Sequence, residues 1–318
     1  MSVCMSVLPA LGLFVGGLLL VLFFAERLVD STGAVSHRLG TSAFLISVLF
    51  IGFDPENLAV GAVASYEGTA GIALGTIVGS AMVALTLAFG ITAVLVPLDF
   101  AQAPRRILAL PVGTVLLLTG LALDGRLSRS DGVLLLIGYV GAVGLLLWWE
   151  RAGLHVAPTE AADAKVDQAA GTARSAAWFV ASLGGIVMGS ELLVRGARPL
   201  VGALGWTETT FGMTLLALVV SVEEVARELP AALKGRPDIS FGNVLGSALA
   251  FFGFNAGIIA LVRPMPVAPA TRYFYLPVCA GAVLLIALLM GRQHVSRWNG
   301  GLLLLVYAVF VAGPSLVG

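Results

Sequence analysis

Residues 219–228 read VVSVEEVARE and place four ionisable side chains in the middle of an apolar run. A charge at the centre of a membrane helix costs roughly 2.5–3.5 kcal/mol on insertion scales. Helical spacing puts Glu223 four residues before Arg227 and Glu224 three residues before it, so the three share one side of a helix. An ion-pair cluster that only locks helices together would account for these charges. Charged residues inside a membrane are more often functional, however, so the stretch indicates a site.

The composition is that of an integral membrane protein surrounded by the lipid bilayer. The chain has 318 residues, of which 58% are hydrophobic and 11% are charged, and its mean hydropathy is +1.00. Soluble domains carry about 25% charged residues. A formal net charge of zero and the lack of a basic stripe argue against nucleic-acid partners. Cys4 and Cys279 form no metal or disulfide pattern, and no cofactor is predicted.

Ten apolar runs are long enough to span a bilayer, which predicts an all-α polytopic fold with ten transmembrane helices. They lie at about 7–25, 39–65, 70–97, 105–124, 131–150, 175–198, 207–233, 239–263, 273–291 and 298–317. A polar insertion separates the first five from the last five. We therefore expect a first half at 1–150, a cytoplasmic linker at 151–174 and a second half at 175–318.

The distribution of Lys and Arg predicts the orientation, because cytoplasmic loops are enriched in both. Eleven such residues fall on one side and six on the other: Arg126, Arg129, Arg195, Arg198, Arg263 and Arg272. This bias favours both termini outside and the linker in the cytoplasm, in the plasma (inner) membrane.

The two halves carry copies of one segment. A shift of 167 residues aligns Gly52–Pro97 with Val219–Pro264 without a gap, with 13 of 46 positions identical. Glu56 matches Glu223, and Gly79-Ser80-Ala81 matches Gly246-Ser247-Ala248. Because each half has an odd number of predicted helices, the copies run in opposite directions through the bilayer. Inverted repeats are typical of transporters whose site lies at the midplane.

The first copy contains a predicted helix break. Its hexapeptide, residues 52–57, reads GFDPEN, and Pro55 removes a hydrogen-bond donor and clashes with the preceding turn. A broken helix exposes main-chain carbonyls, which together with carboxylates are ligands for hard cations. The second copy has no proline in its hexapeptide, so its expected break depends on its charges and on Pro230.

These motifs resemble the cation/calcium exchanger superfamily, of which the chain looks like a divergent, sodium/calcium exchanger-like member. The two α-repeats of that superfamily read roughly Gly-Thr-Ser-x-Pro-Glu, a Lys-Gly-x-x-Asp turn, and Gly-Asn-x-x-Gly-Ser. The second copy keeps Gly212, Thr214, Ser221, Glu224, Lys234-Gly235, Asp238, Gly242-Asn243 and Gly246-Ser247. The resemblance covers both halves and implies two inverted five-helix repeats.

The residues and the resemblance together define a predicted ion-binding set. The ligand candidates are Asp54, Glu56, Asn57, Ser80, Ser221, Glu223, Glu224 and Ser247, with Glu224 and Glu56 as the metal-binding pair. The candidate charge-compensating residues are Arg227 and Glu228. The secondary candidates are Ser47, Thr76, Thr214 and Asn243. Ser80 and Ser247 would either bind an ion or hydrogen-bond a neighbouring carbonyl.

The chain departs from the family pattern at several positions. Asn57 stands where the first repeat of the family has glutamate, with Glu56 one residue earlier. Ala84 and Phe251 stand where the family often has a further polar ligand, and Arg227 has no counterpart. Either Asn57 is a neutral ligand or a local bulge brings Glu56 into its place.

The predicted function is secondary active antiport of a cation, Ca2+ or another, against Na+ or H+ by alternating access. Five core carboxylates against Arg227 alone require bound cations or protons for charge balance. One alternative is a cation/proton exchanger that does not use calcium, and another is a non-transporting regulatory membrane protein. An enzyme is not expected, because no His-Glu-x-x-His motif or Ser–His pair lies at midplane. The oligomeric state stays open.

Overall fold

A computed structural model describes residues 2–38, 54–99, 105–151, 172–233 and 237–317. Helices form almost all of this part of the chain. Those of the first half are α1 (Ser2–Arg38), α2 (Pro55–Tyr66), α3 (Ala70–Leu95), α4 (Arg105–Asp124) and α5 (Arg129–Arg151). The predicted linker, 151–174, lies largely outside the described residues.

The helices of the second half follow in the same order. They are α6 (Thr172–Leu204), α7 (Glu208–Phe211, Gly212–Leu216 and Ala217–Val220), α8 (Glu223–Leu233), α9 (Pro237–Leu249, Ala250–Asn255 and Ala256–Val262), α10 (Thr271–Gly291) and α11 (Arg297–Val317). Several of these helices contain π-helical turns, as does α3 at Gly75–Gly79 and Val83–Ala88.

Eight helices within the described residues are long and apolar enough to cross a membrane, and Arg297–Gly313 is a shorter apolar helix. The second predicted span, 39–65, falls partly outside these residues, and only Pro55–Tyr66 of it is described as a helix. The structure thus agrees with a polytopic helical protein, while the exact number of ten spans stays a prediction.

Residues with positive φ separate consecutive helices. Gly68, at φ 80°, allows the chain to turn from α2 into α3, and Gly205, at φ 67°, ends α6. Thr207 then begins α7, where its side-chain oxygen accepts a hydrogen bond from the Thr210 main-chain N–H at 3.0 Å.

Elements of the two halves pair reciprocally. Strand β1 (Leu98–Asp99) pairs with β4 (His294–Val295), and β2 (Arg126–Leu127) pairs with β3 (Met265–Pro266). A shift of 167 carries β1 onto β3, and a shift of 168 carries β2 onto β4. Each pair therefore joins one strand from each half, as two interlocked copies related by a pseudo-twofold axis require.

Glycine contacts between helices follow the same reciprocal pattern. A Cβ on Gly90 of α3 would lie 3.2 Å from the Gly300 carbonyl oxygen of α11. A Cβ on Gly132 of α5 would lie 2.8 Å from the Gly257 carbonyl oxygen of α9. Small residues allow such close helix approach in membranes.

Among the glycines of the described residues, the closest approach to another main chain lies between α3 and α7. A Cβ on Gly75 would lie 2.2 Å from the main-chain carbonyl carbon of Gly212, and one on Gly79 would lie 2.6 Å from the Met213 carbonyl oxygen. Gly75 and Gly79 thus form a small-residue face that allows this close crossing. This crossing holds α3 against the helix that leads into residues 219–228.

Arginines cap one end of the helix bundle. Four of the six that were expected on a common side donate to main-chain carbonyls of neighbouring segments: Arg129, Arg198, Arg263 and Arg272. Arg198 and Arg263 reach the turn after α2, at Glu67 and Tyr66 respectively. The contacts agree with the predicted grouping of these arginines, and which side faces the cytoplasm stays a prediction.

Replacing Gly75 with Ala should destabilise the protein, because the new methyl group would meet the main chain of Gly212, which cannot rotate away. Overpacking of this kind costs about 1–3 kcal/mol. The measurement is the thermal unfolding midpoint in detergent micelles. Gly113→Ala in α4 is the matched control, since its Cβ would meet nothing within 4 Å. Equal midpoints for the two variants would contradict the proposed crossing.

Candidate cation site

In the first repeat, α2 begins directly after Asp54. This residue has an extended backbone, at φ −94° and ψ 92°, and α2 begins at the next residue, Pro55. Proline suits the first helical position because its missing N–H would have no partner there. Glu56 lies in the first turn, where the partial positive charge of the helix N-terminus stabilises a carboxylate.

The second repeat breaks without a proline. Helix α7 ends at Val220, Ser221 and Val222 form a turn, and α8 begins at Glu223. The Ser221 main-chain carbonyl accepts a hydrogen bond from the Glu224 N–H at 3.1 Å, which closes the turn. Pro230 lies inside α8 and does not interrupt it. The expectation that Pro230 contributes to the break was therefore wrong, and the turn itself separates the two helices.

The side-chain amide of Asn57 joins the start of α2 to the turn before α8. Its Nδ2 donates to the Ser221 Oγ at 3.2 Å, and its Oδ1 accepts from the Ser80 Oγ at 2.6 Å. All three residues are buried. The amide therefore links α2, α3 and the turn before α8. It is the hydrogen-bond partner of two hydroxyl groups that are buried away from water. Ser80 thus donates to a neighbouring carbonyl, that of the Asn57 side-chain amide, while its role as an ion ligand stays a prediction.

Three carboxyl groups meet beside this amide. One oxygen from each of Asp54, Glu56 and Glu223 lies within 4.8 Å of the other two. Asp54 and Glu56 are buried, at 1% and 0% exposure, and Glu223 is half-buried. Oxygen ligands at this spacing suit a hard cation. We call these residues the tricarboxylate group.

Glu224 belongs to a different group of side chains. Its Oε2 accepts a hydrogen bond from the Asn243 Nδ2 of α9 at 3.3 Å. Glu228 lies four residues later in α8, close enough for its carboxyl group to interact with those of Glu224 and with the Asn243 amide. The predicted metal pair of Glu56 and Glu224 is thus divided between two neighbouring groups, and its role stays a prediction.

The remaining predicted residues differ in their surroundings. The hydroxyl groups of Thr76 and Thr214 donate to carbonyls of their own helices, at 2.8 Å to Ala73 and 2.6 Å to Thr210. Ser247 is buried, and its Oγ has no hydrogen-bond partner among the described residues. Ser47 lies outside the described residues, as does the side chain of Arg227, whose backbone belongs to α8.

Two features of the site were not evident from the sequence. The carboxylates were treated as one set, whereas the structure separates the tricarboxylate group from Glu224 and Glu228. Asn57 was considered as a ligand, whereas both ends of its amide are engaged by serines. The 167-residue shift aligns Asn57 with Glu224, so an amide stands where the second repeat has a carboxylate. This difference could have indicated that Asn57 has a different role from Glu224.

Known proteins resemble this chain in sequence and in fold. The putative antiporter CaxA of Alkalimonas amylolytica is 28% identical over 307 residues, covering 92% of this chain and 94% of CaxA. The sodium/calcium exchanger MaX1 of Methanosarcina acetivorans is 30% identical over 142 residues, 44% of this chain and 41% of MaX1. A solved structure of the sodium-calcium exchanger NCX_Mj, soaked with Na+ and Sr2+, is 25% identical with a TM-score of 0.63, covering 96% of this chain and 98% of NCX_Mj.

The family described as sodium/calcium exchanger protein matches residues 9–148 and 174–315, which is most of both halves. Together with the structural similarity to NCX_Mj, this match confirms the predicted fold. The chain is an integral membrane protein of the sodium/calcium exchanger family, within the cation/calcium exchanger superfamily.

Proposed function

We propose that this protein is a secondary active antiporter that exchanges Ca2+ or another cation for Na+ or H+. The observation that carries the proposal is the burial of carboxylates where α2 and α8, one helix from each repeat, begin. Burying several like charges is costly unless cations or protons accompany them. The relatives support it, since CaxA is named a putative antiporter and MaX1 and NCX_Mj are named sodium/calcium exchangers.

The attachment of the candidate ligands to both repeats supports alternating access. Asp54, Glu56 and Asn57 belong to the first repeat, and Ser221, Glu223 and Glu224 belong to the second. A small rotation of one repeat against the other would open the shared site to one side of the membrane and close it to the other. We propose this motion as the mechanism, with both termini outside and residues 151–174 as a cytoplasmic linker between the halves in the plasma membrane.

An exchanger of monovalent cations for protons is the second candidate. Its support is the chemistry of two positions at which the resemblance implies polar ligands. Ala84 and Phe251 are both buried and supply no side-chain oxygen. A site with fewer oxygens favours ions that need fewer ligands than the six to eight that Ca2+ takes.

Glu224→Gln should abolish exchange, because it removes a charged oxygen donor at the junction of the repeats. The flux at a fixed, subsaturating cation concentration should fall by at least about tenfold, since each 1.4 kcal/mol of lost affinity is a factor of ten. The measurement is ion flux in vesicles reconstituted with the full chain, with Ca2+, Na+, K+ and imposed pH gradients compared in parallel.

Glu191→Gln is the matched control, because Glu191 forms an exposed ion pair with Arg195 one turn away in α6. Flux of at least one ion by wild-type protein, retained by Glu191→Gln and lost by Glu224→Gln, is the expected result. Equal flux by wild-type protein and Glu224→Gln for every ion would contradict transport and favour a regulatory membrane protein.

We propose that Arg227 compensates the tricarboxylate group as a fixed cation in place of one transported charge. The support is helical spacing, because Arg227 follows Glu223 by four residues in α8.

Arg227→Gln should then add one positive charge, as a cation or a proton, to each transport cycle. The measurement is the reversal potential of exchange at several pH values. Arg195→Gln, at an exposed ion pair, is the control. An unchanged stoichiometry and pH dependence would refute the compensation.

Asn57→Ala should weaken both stability and transport, because it leaves the Ser80 and Ser221 hydroxyl groups buried without their shared partner. The expected loss of unfolding free energy is about 1–3 kcal/mol. Thr86→Val is the control, since the buried Thr86 hydroxyl donates only to the Met82 carbonyl of its own helix. Thermal unfolding in detergent measures the difference, and a loss no larger than that of the control would refute the bridging role of Asn57.

A further inference from the structure

Glu228 is a buried carboxylic acid whose surroundings the proposed exchange does not explain. It is 1% exposed, and neither of its carboxylate oxygens has a hydrogen-bond partner among the described residues. It follows Glu224 by four residues in α8, so both side chains lie on one face of that helix. Burying a carboxyl group without a hydrogen-bond donor has a cost in free energy. A bound ligand would offset that cost.

Helix α9 presents neutral polar groups to this pair. The Asn243 Nδ2 donates to the Glu224 Oε2 at 3.3 Å, and the Asn243 amide lies near the Glu228 carboxyl group without a hydrogen bond of normal geometry to it. Ser247 lies one turn later on the same face of α9, and its hydroxyl group is buried without a partner among the described residues. Two carboxylates and an amide therefore lie together between α8 and α9, with a buried hydroxyl group one turn farther along α9.

The equivalent place in the first repeat is closed. The 167-residue shift aligns Glu228 with Gly61 and Asn243 with Thr76. A Cβ on Gly61 would lie 2.4 Å from both the Thr76 Oγ1 and the Ile259 Cδ1, so a larger side chain there would require both of these side chains to move. The Thr76 hydroxyl group donates to its own helix at Ala73. The polar group of side chains thus exists in one repeat only.

We propose that Glu228 is a cation ligand, and that Glu224, Glu228 and the carbonyl oxygen of the Asn243 amide bind a divalent cation off the pseudo-twofold axis, within the second repeat. This inference rests on the proposed exchange and names its cation. Two carboxylates match the charge of Ca2+, whereas a monovalent ion would leave one negative charge uncompensated. Glu228 supplies the second carboxylate in place of Asn57, whose neutral amide is engaged by serines.

The test measures Ca2+ and Na+ transport by full-length protein in vesicles. Glu228→Gln should raise the KM for Ca2+ at least tenfold while changing the KM for Na+ less than threefold. A role in packing alone would change neither KM selectively, because glutamine has the same shape as glutamate. Glu191→Gln, at the exposed ion pair of α6, should leave both values unchanged.

Glu228→Asp provides a second variant if the glutamine variant does not fold, which gel filtration and thermal unfolding would reveal. It keeps the charge but shortens the side chain by one methylene, so the site gains room for a larger ion. The expected result is an increase in the ratio of Sr2+ to Ca2+ affinity, measured by calorimetric titration of the protein in detergent with each metal.

The outcomes separate this inference from the exchange itself. An unchanged Ca2+ KM in Glu228→Gln, or an unchanged Sr2+ to Ca2+ ratio in Glu228→Asp, would overturn the role of Glu228 while leaving antiport intact. Wild-type protein that carries no cation at all would overturn the exchange first. Transport of Na+ or K+ without Ca2+ by the wild-type protein would support the monovalent exchanger and overturn the divalent site.

Discussion

The hydrogen bonds of the Asn57 amide hold the two repeats together at the point where α2 and α8 begin. One end of the amide accepts from Ser80 of its own repeat, and the other end donates to Ser221 of the opposite repeat. In a site away from water such bonds are expensive to break, because the hydroxyl groups have no solvent to replace them. The position of the carboxylates on α2 and α8 depends on this junction, since both helices begin within three residues of it.

Close packing of glycines makes the junction possible. Helix α3 carries Ser80, and it approaches α7 at Gly75 and Gly212 with main chains nearly in contact. Helix α7 leads directly into the turn at Ser221. Side chains at the crossing would separate the helices and move the serine away from the amide. The small residues of the repeat thus set the geometry of a polar site that they do not themselves form.

The two repeats share a backbone plan and differ in their electrostatics. Both begin a helix at the junction with acidic residues in its first turn, where the helix dipole stabilises negative charge. Only the second repeat continues with a further buried carboxylate, Glu228, whose counterpart is the tightly packed Gly61. An inverted repeat can therefore keep its symmetric contacts at strands and glycines while its ion-binding groups become asymmetric. The reciprocal pairs β1–β4 and β2–β3 show how far the symmetry extends from the site.

The sequence by itself determined the membrane class, the inverted repeat and most of the residues that meet at the site. These follow from local quantities: apolar run length, the 167-residue periodicity, and charges whose burial is too costly to be accidental. The start of α2 at Pro55 also agrees with the sequence, because proline chemistry is local. The break at Ser221 and Val222 was attributed partly to Pro230, because no local signal marks a turn that tertiary contacts stabilise.

Only the tertiary structure decided how the acids are grouped. Glu56 and Glu224 were predicted as a pair, yet Glu56 lies with Asp54 and Glu223, and Glu224 lies with Asn243 and Glu228. Spacing along one helix cannot settle this, because adjacent residues such as Glu223 and Glu224 point about 100° apart around the helix axis and meet different neighbouring helices. Which helix stands on each side depends on the crossing of α3 and α7 and on the packing of α9 against α8. The contacts between α3 and α7 join residues far apart in the chain, so they exist only once the repeats have packed.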